Sequence, residues 1–278
     1  MGNQAKGILV PVDFTEAARH AVMNAIELAK QLNTDVYLVN FIPPVKKKRV
    51  RKAGADIEAI SIDLSSSINL LRENEQRLAD MLKEMDKADV TVHSEIKIDK
   101  LASGVKKQLK NKHIDLIVIG ITEAHTVGDS FYKASKARDL IEVTCPIMVC
   151  NNHSHQFREH QKVVVSLDFD SLDQDNIFNL VEIAKKLSSK IHYIHVNDPA
   201  DKKKWTTARI RAYLRKHNLS ADAVRVIDSD HKEKAVRQYA TDENADYIAI
   251  SRFSKTSESE RQYTEQVVKE TESPVFVY

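Results

Sequence analysis

The chain has little cysteine and no long apolar run. Only two of its 278 residues are cysteines, Cys145 and Cys150, and both fall on one predicted strand. Residues five positions apart on a strand point to opposite faces, so these two thiols cannot form a disulfide within the chain. No apolar run approaches the roughly 18 residues of a membrane helix, and the opening MGNQAKGILVPV has no signal-peptide core. We therefore expect a cytoplasmic protein without a membrane segment.

Glycine is scarce and unevenly placed. The chain has six glycines, and none follows Gly128. The GxxxxGK[ST], GxSxG and HExxH motifs are all absent, which removes the usual support for P-loop, serine-hydrolase and zinc-protease activities. No convincing pair of acids for acid-base catalysis is found either. The sequence therefore predicts a protein that is not an enzyme and has no catalytic residues.

The charges nearly cancel. The 42 Lys and Arg against 40 Asp and Glu leave a net charge of +2, too small to indicate a nucleic-acid or membrane partner. The densest basic run, 46–52, has no interleaved aromatic residue on which a base could stack, so nucleic acid is not the expected partner. The histidines of 151–161 lack the cysteine partners and ordered spacing of zinc sites, and no metal site is predicted.

The chain repeats itself. Residues 10–44 read VPVDFTEAARHAVMNAIELAKQLNTDVYLVNFIPP, and residues 165–199 read VSLDFDSLDQDNIFNLVEIAKKLSSKIHYIHVNDP, aligned without a gap. Self-similarity over a whole strand-helix-strand unit indicates a duplication. We predict a first domain at 1–150, a polar linker at 151–161 and a shortened second domain at 162–278.

Strands alternate with helices in both copies. Apolar or alternating runs rich in valine and isoleucine predict ten strands. They are Gly7–Phe14, Val36–Ile42, Val90–Ile98, Leu116–Ile119 and Pro146–Cys150, then Val163–Phe169, Ile191–Val196, Val224–Ile227, Tyr247–Ile250 and Pro274–Val277. Alternating strands and helices, with several strands apolar throughout, predict an α/β fold of parallel sheets covered on both faces.

The longest predicted helix spans 56–87. Its apolar residues follow nearly heptad spacing, interrupted only by Glu75; they are Leu64, Ile68, Leu71, Leu78, Leu82 and Met85. A helix that covers a sheet needs such a stripe, and so does a helix that recruits a partner. Both interpretations stay open.

The order of the fragments resembles the universal stress protein family over nearly the whole chain. The residues that carry the resemblance are Val12-Asp13-Phe14, Val39-Asn40-Phe41, Asp115 to Gly120 and Cys145-Pro146, repeated as Asp168-Phe169, Ile194-His195-Val196, Asp246 to Ser251 and Ser273-Pro274. The resemblance implies a tandem member with two Rossmann-like (adenine nucleotide alpha hydrolase-like) domains, each a five-stranded parallel sheet. It also implies a non-enzymatic role in the stress response, and ATP or AMP at the carboxyl ends of the strands.

The resemblance also implies a nucleotide site in the first copy. It would place the adenine near Asp13 and the backbone of Val39, and the phosphates on a glycine-rich loop. That loop would use Gly120, Thr122, Gly128 and Ser135, which complete the predicted site. An acid at position 13 also suits capping of the following helix, whatever the ligand.

The loop departs from the family pattern. Glu123 stands where the second glycine belongs and would repel a triphosphate, and Ser135 fits only if the loop carries one extra residue. In the second copy, residues 251–258 contain no glycine, so a glycine-cradled phosphate site is not expected there. His195, which parallels Asn40, is expected to line the second pocket.

Two functions therefore compete. In the first, the protein is regulatory and binds a nucleotide weakly in domain 1, with a degenerate site in domain 2. In the alternative, both pockets are degenerate, and helix 56–87 with the basic loop 46–52 recruits a protein partner. A gain of nucleotide affinity in Glu123→Gly would favour the first. We also expect the apolar closing strands to pair as an intramolecular pseudo-dimer, and homodimers can form in addition.

Overall fold

The structure is a computed structural model. The residues that it describes are 7–44, 64–87, 89–121, 143, 145–152, 162–167, 169, 174–187, 190–200, 204–251, 263, 266–268 and 270–278.

The described residues form ten strands where ten were predicted, with ends that differ by a few residues. They are β1 (Gly7–Pro11), β2 (Val36–Ile42), β3 (Val92–Ile98), β4 (Ile114–Gly120), β5 (Ile147–Cys150), β6 (Lys162–Ser166), β7 (Lys190–Asn197), β8 (Ala223–Asp228), β9 (Tyr247–Ile250) and β10 (Val275–Val277). The largest differences are at β1 and β6, which end before Asp13 and Phe169, because the chain turns there toward a helix.

All ten strands belong to one sheet, in the order β3-β2-β1-β4-β5-β10-β9-β6-β7-β8. Neighbouring strands are parallel everywhere except at β5 and β10, which pair antiparallel with Val275 opposite Val149 and Val277 opposite Ile147. The predicted α/β fold of parallel strands is confirmed, and so is the pairing of the two closing strands. The two five-stranded parts are continuous with each other in a single sheet.

Six helices fall within the described part of the chain. They are α1 (Glu16–Leu32), α2 (Leu64–Lys83), α3 (Leu101–Asn111), α4 (Gln174–Lys186), α5 (Thr207–Lys216) and α6 (Lys232–Asp242). Thr15 caps α1, because its hydroxyl accepts the Ala18 amide at 3.2 Å. Residues 122–142 and most of the predicted linker lie outside the described residues.

Helices cover both faces of the sheet. Helices α1, α4, α5 and the second half of α2 pack on one face, around a core that includes Val22, Ile177 and Ile210. Helices α3 and α6 pack on the other face, through Val105 and Val236. Because β5 and β10 are antiparallel, the carboxyl ends of β1 and β6, which lead toward α1 and α4, lie at opposite edges of the sheet.

Helix α2 has two unlike halves. Leu78 and Met81 are buried in the core, as the interpretation of a sheet-covering helix requires. Ile68 and Leu70, by contrast, are 46% and 43% exposed. The predicted helix extended from 56 to 87, but α2 ends at Lys83, and residues 56–63 lie outside the described part.

Candidate ligand site at the carboxyl ends of the strands

Asp13 lies in the turn between β1 and α1. Phe14 adopts a left-handed conformation with φ of 63°, which reverses the chain toward the helix. The Asp13 carboxylate accepts hydrogen bonds from the Thr15 amide at 3.2 Å and the Thr15 hydroxyl at 2.6 Å. The buried carboxylate therefore lies at the start of α1, where the helix dipole favours negative charge.

Two buried amides lie beside this turn. Asn40, on β2, donates to the Val12 carbonyl at 2.7 Å. Asn74, on α2, donates to the side-chain oxygen of Asn40 at 3.2 Å. We call Asp13, Asn40 and Asn74 the first polar cluster. All three residues are at most 9% exposed. Helix α2 thus closes over the ends of β1 and β2 in this structure.

Val39 lies within the sheet. Its carbonyl accepts the Val12 amide at 3.0 Å, and it pairs with Pro11 on one side and Glu95 on the other. It has no exposed surface, and its side chain packs on the opposite face from α1. The backbone of Val39 is therefore next to the Asp13 turn, as predicted, but it is covered.

Gly120 ends β4 and touches the start of α1. A Cβ atom at this position would lie 2.3 Å from the Ala17 carbonyl carbon and 2.4 Å from the Ala18 nitrogen. Glycine is required there by this close approach, with or without a ligand. Thr122, Gly128 and Ser135 lie outside the described residues, as does Glu123, and their roles stay predictions.

The second half repeats one hydrogen bond of the first. Nδ1 of His195, on β7, lies 2.8 Å from the Leu167 carbonyl, as Asn40 lies against Val12. Because a carbonyl oxygen only accepts, this ring nitrogen carries a proton. His195 lines the carboxyl end of the strands, as the sequence predicted for it.

Aromatic side chains surround His195. The Phe169 ring stacks on Trp205 with centroids 3.5 Å apart and planes at 11°, and it meets Tyr213 edge to face at 5.2 Å. The Arg209 guanidinium covers the Trp205 ring at 3.7 Å. We call Phe169, His195, Trp205 and Tyr213 the aromatic cluster of the second half. The carboxyl ends of the strands are therefore polar in the first half and aromatic in the second, and they lie at opposite edges of the sheet because β5 and β10 are antiparallel.

Asn74 and Trp205 were missed in the sequence. Asn74 is a polar residue in the buried stripe of α2, but the heptad reading placed the interruption at Glu75. The buried polar residue is therefore Asn74, one position before the Glu75 that the heptad pattern singled out. Trp205 is the only tryptophan of the chain, and this alone could have drawn attention to it. No local pattern in the sequence, however, indicates which ring the indole stacks on.

Two cavities are lined by described residues, and neither contains a predicted site residue. One of about 650 Å³ lies beside α6 and the segments that precede β9 and β10. The other, of about 380 Å³, lies between α3 and the ends of β2 and β3. Within the described ranges, no cluster of His, Cys, Asp or Glu could hold a metal ion, and no helix is both long and apolar enough to cross a membrane.

Comparisons with known proteins agree with this fold. A family model described as the Universal stress protein family matches residues 5–151. A universal stress protein from Methanocaldococcus jannaschii is 26% identical over 148 residues, which are 53% of this chain and 82% of the relative. A solved universal stress protein from Archaeoglobus fulgidus has a TM-score of 0.68 at 17% identity, covering 99% of this chain and 98% of that one. A functionally unknown protein from Pseudomonas aeruginosa has a TM-score of 0.55 at 15% identity, covering 99% and 92%.

Proposed function

Because the chain belongs to the universal stress protein family, we propose that it is a non-enzymatic regulatory protein whose first half binds an adenine nucleotide. The ligand class is ATP or AMP. The second half has a degenerate site in this proposal, and the nucleotide site is the one predicted around Asp13.

The observation that carries the proposal is the first polar cluster. In open parallel sheets, ligands bind at the carboxyl ends of the strands, which is where Asp13 and Asn40 lie. The Asn40 and Asn74 amides hold donors and acceptors of the kind that match the edge of a base. The second half has rings where the first half has amides. This difference supports a site in the first half alone.

The proposal also accounts for weak binding. In the structure, Asn74 already bonds to Asn40, and the Arg77 guanidinium lies over the Phe14 ring at 4.3 Å. A nucleotide that used the Asn40 amide would have to displace Asn74 and with it part of α2. Each hydrogen bond exchanged in this way costs about 1 kcal/mol, or roughly a fivefold loss of affinity.

The test is calorimetric titration of the whole chain with ATP and with AMP, each with and without magnesium. We expect saturable binding to the wild type and at least a tenfold loss in Asp13→Asn. Asp168→Asn, the matched position of the second copy, is the control and should bind as the wild type does. Asn74→Ala should bind more tightly, because the competing amide is gone.

The outcomes are distinguishable. No saturable binding to the wild type or to Asn74→Ala would refute the proposal. Equal losses in Asp13→Asn and Asp168→Asn would show that the first half is not the site. Melting temperatures without ligand must be compared first, because a destabilised Asp13→Asn would lose affinity for reasons of folding.

The partner-recruiting alternative has one observation in its favour, the exposure of Ile68 and Leu70 on α2. Apolar side chains exposed on the first half of a helix can dock against a partner. Changing both to serine should abolish the association with any purified binding partner and leave the melting temperature unchanged. Unchanged association would exclude this surface.

A further inference from the structure

The second half contains a layered aromatic arrangement at the end of its strands. Phe169 lies parallel to the Trp205 ring, and Arg209 lies over the same ring at a similar distance. Two groups cannot both be this close to one ring over the same face. Arg209 therefore covers the face that Phe169 leaves open, and the indole lies between a ring and a guanidinium.

The corresponding place in the first half has one layer fewer. There the Arg77 guanidinium lies directly over the Phe14 ring. In the second half, the Trp205 indole separates Arg209 from Phe169. The second half thus has room between its aromatic and cationic walls for one planar ring, and that room is filled.

The indole is held by its backbone and by its two neighbours. The Asn197 side chain donates to the Trp205 carbonyl at 3.0 Å and accepts the Trp205 amide at 2.8 Å. Asn197 also donates to Asp228 at 3.0 Å, and Lys204 pairs with Asp228 at 3.3 Å. These contacts fix the main chain at Trp205 independently of the side chain. Removal of the indole should therefore leave the main chain at Trp205 in place.

His195 lies at the rim of the space that the Trp205 indole fills. The His195 ring lies 6.0 Å from the Trp205 ring, with an angle of 64° between the two planes, and 5.3 Å from the Phe169 ring. Its Nδ1 is engaged with Leu167, which fixes the ring orientation. A planar ring with nitrogen atoms at its edge suits such surroundings, since stacking and cation–π contacts both favour flat, electron-rich rings.

We infer that Trp205 is an internal occupant of a slot for one planar heteroaromatic ring, and that this side chain closes the second half to free ligands. The ligand class of the vacated slot is an indole or a purine base. In the wild type, the slot contributes no binding site.

The experiment uses the full chain carrying Trp205→Ala and free indole as the probe. The variant contains no tryptophan, so indole emission excited beyond the absorption of tyrosine reports on the added ligand alone. We expect a saturable blue shift of this emission. We also expect the melting temperature to rise by roughly 3–6 °C when indole exceeds its dissociation constant about tenfold. Adenine should compete for the same slot.

Two controls isolate the slot. Tyr213→Ala removes an aromatic residue that touches Phe169 edge-on without lying in the slot, and the wild type retains the occupant. Indole should not raise the melting temperature of Tyr213→Ala or of the wild type. No shift in Trp205→Ala, or equal shifts in all three proteins, would overturn the inference. If Trp205→Ala is unfolded, recovery of its helical circular dichroism on adding indole supports the slot, and absence of recovery refutes it.

This test is independent of nucleotide binding by the first half. If the wild type fails to bind ATP and AMP, the proposed function fails, but the response of Trp205→Ala to indole is unaffected. If the variant fails to respond while the wild type binds nucleotide, only the inference about Trp205 is lost.

Discussion

Gly120→Ala is the sharpest test of why the chain keeps a glycine at the end of β4. The family resemblance assigns this glycine to a phosphate loop, whereas the structure places it against the first turn of α1. The added methyl group would lie 2.3 Å from the carbonyl carbon and oxygen of Ala17. Non-bonded carbon atoms prefer separations of about 3.5–4.0 Å. The helix would have to move away by more than about 1 Å.

The expected cost follows from the atoms that are in the way. Backbone cannot rotate aside as a side chain can, and α1 is packed through Ala17, Ala18, Ala21 and Val22, all without exposed surface. Overpacking costs about 1–3 kcal/mol and occasionally more, and we expect the upper end, about 3 kcal/mol, because the obstacle is backbone. A loss of that size lowers the melting temperature of a chain of this length by roughly 6–12 °C.

Gly104→Ala is the matched control. Its Cβ would lie 2.2 Å from a ring carbon of Phe41, an equally short contact. Here, however, the obstacle is a side chain that borders the cavity of about 380 Å³ and can turn into it. Gly104 is also inside α3, where alanine gains about 1 kcal/mol of helix propensity. We expect the free energy of unfolding of this variant to lie within about 1 kcal/mol of that of the wild type.

Urea unfolding followed by circular dichroism, without nucleotide, measures all three proteins. If Gly120→Ala and the wild type share one midpoint, the close approach of α1 to β4 is refuted. If Gly120→Ala is as stable as the wild type and loses nucleotide affinity, the glycine serves the ligand instead.

Three further predictions concern buried groups. Tyr193→Phe should leave the free energy of unfolding in urea unchanged or raise it, because the buried Tyr193 hydroxyl has no hydrogen-bond partner in the described structure. Tyr278→Phe should lower the free energy of unfolding by about 1 kcal/mol, because it removes a hydrogen bond to a main-chain carbonyl. The opposite order of the two variants would refute this. The hydrogen bond from Lys112 lowers the pKa of Glu95 to about 2, so its stabilising contribution is complete above pH 4.5 and is lost as the pH falls through 2; Lys112→Met should raise that pKa in an NMR titration, and an unchanged value would refute the assignment. Burial raises the pKa of the Cys150 thiol to about 12, so it should resist a thiol reagent at pH 8 until urea unfolds the chain, and rapid labelling of the native protein at Cys150 would contradict this.

Much of the fold follows from patterns that are local in the chain. Each strand is marked by β-branched apolar residues that end at turn residues, so Val36–Ile42 and Tyr247–Ile250 were located to the residue. The ends of strands were harder to predict where the apolar run continues past the last hydrogen bond between the strands. Val12 and Phe14 look like strand in sequence, yet φ of 63° at Phe14 begins the turn into α1.

Part of the candidate site also followed from the sequence. Asp13 and Gly120 were placed at the correct edge of the sheet, because the carboxyl ends of parallel strands share one edge. Their surroundings were not predicted. The close approach of Ala17 to Gly120 depends on how deeply α1 seats on β4, and no periodicity records that depth.

The sequence by itself determined the self-similarity of residues 10–44 and 165–199, the alternation of strand and helix, and the residue types available to each half: glycine only in the first, and the single tryptophan in the second. Only the tertiary structure decided which side chains meet at the ligand end, Asn74 with Asn40 and Trp205 with Phe169. The physical reason is that hydrophobic periodicity specifies the face of a helix that is buried. The partner of each side chain on that face depends on the axial position and angle at which the helix docks, and these are set by packing between residues far apart in the chain.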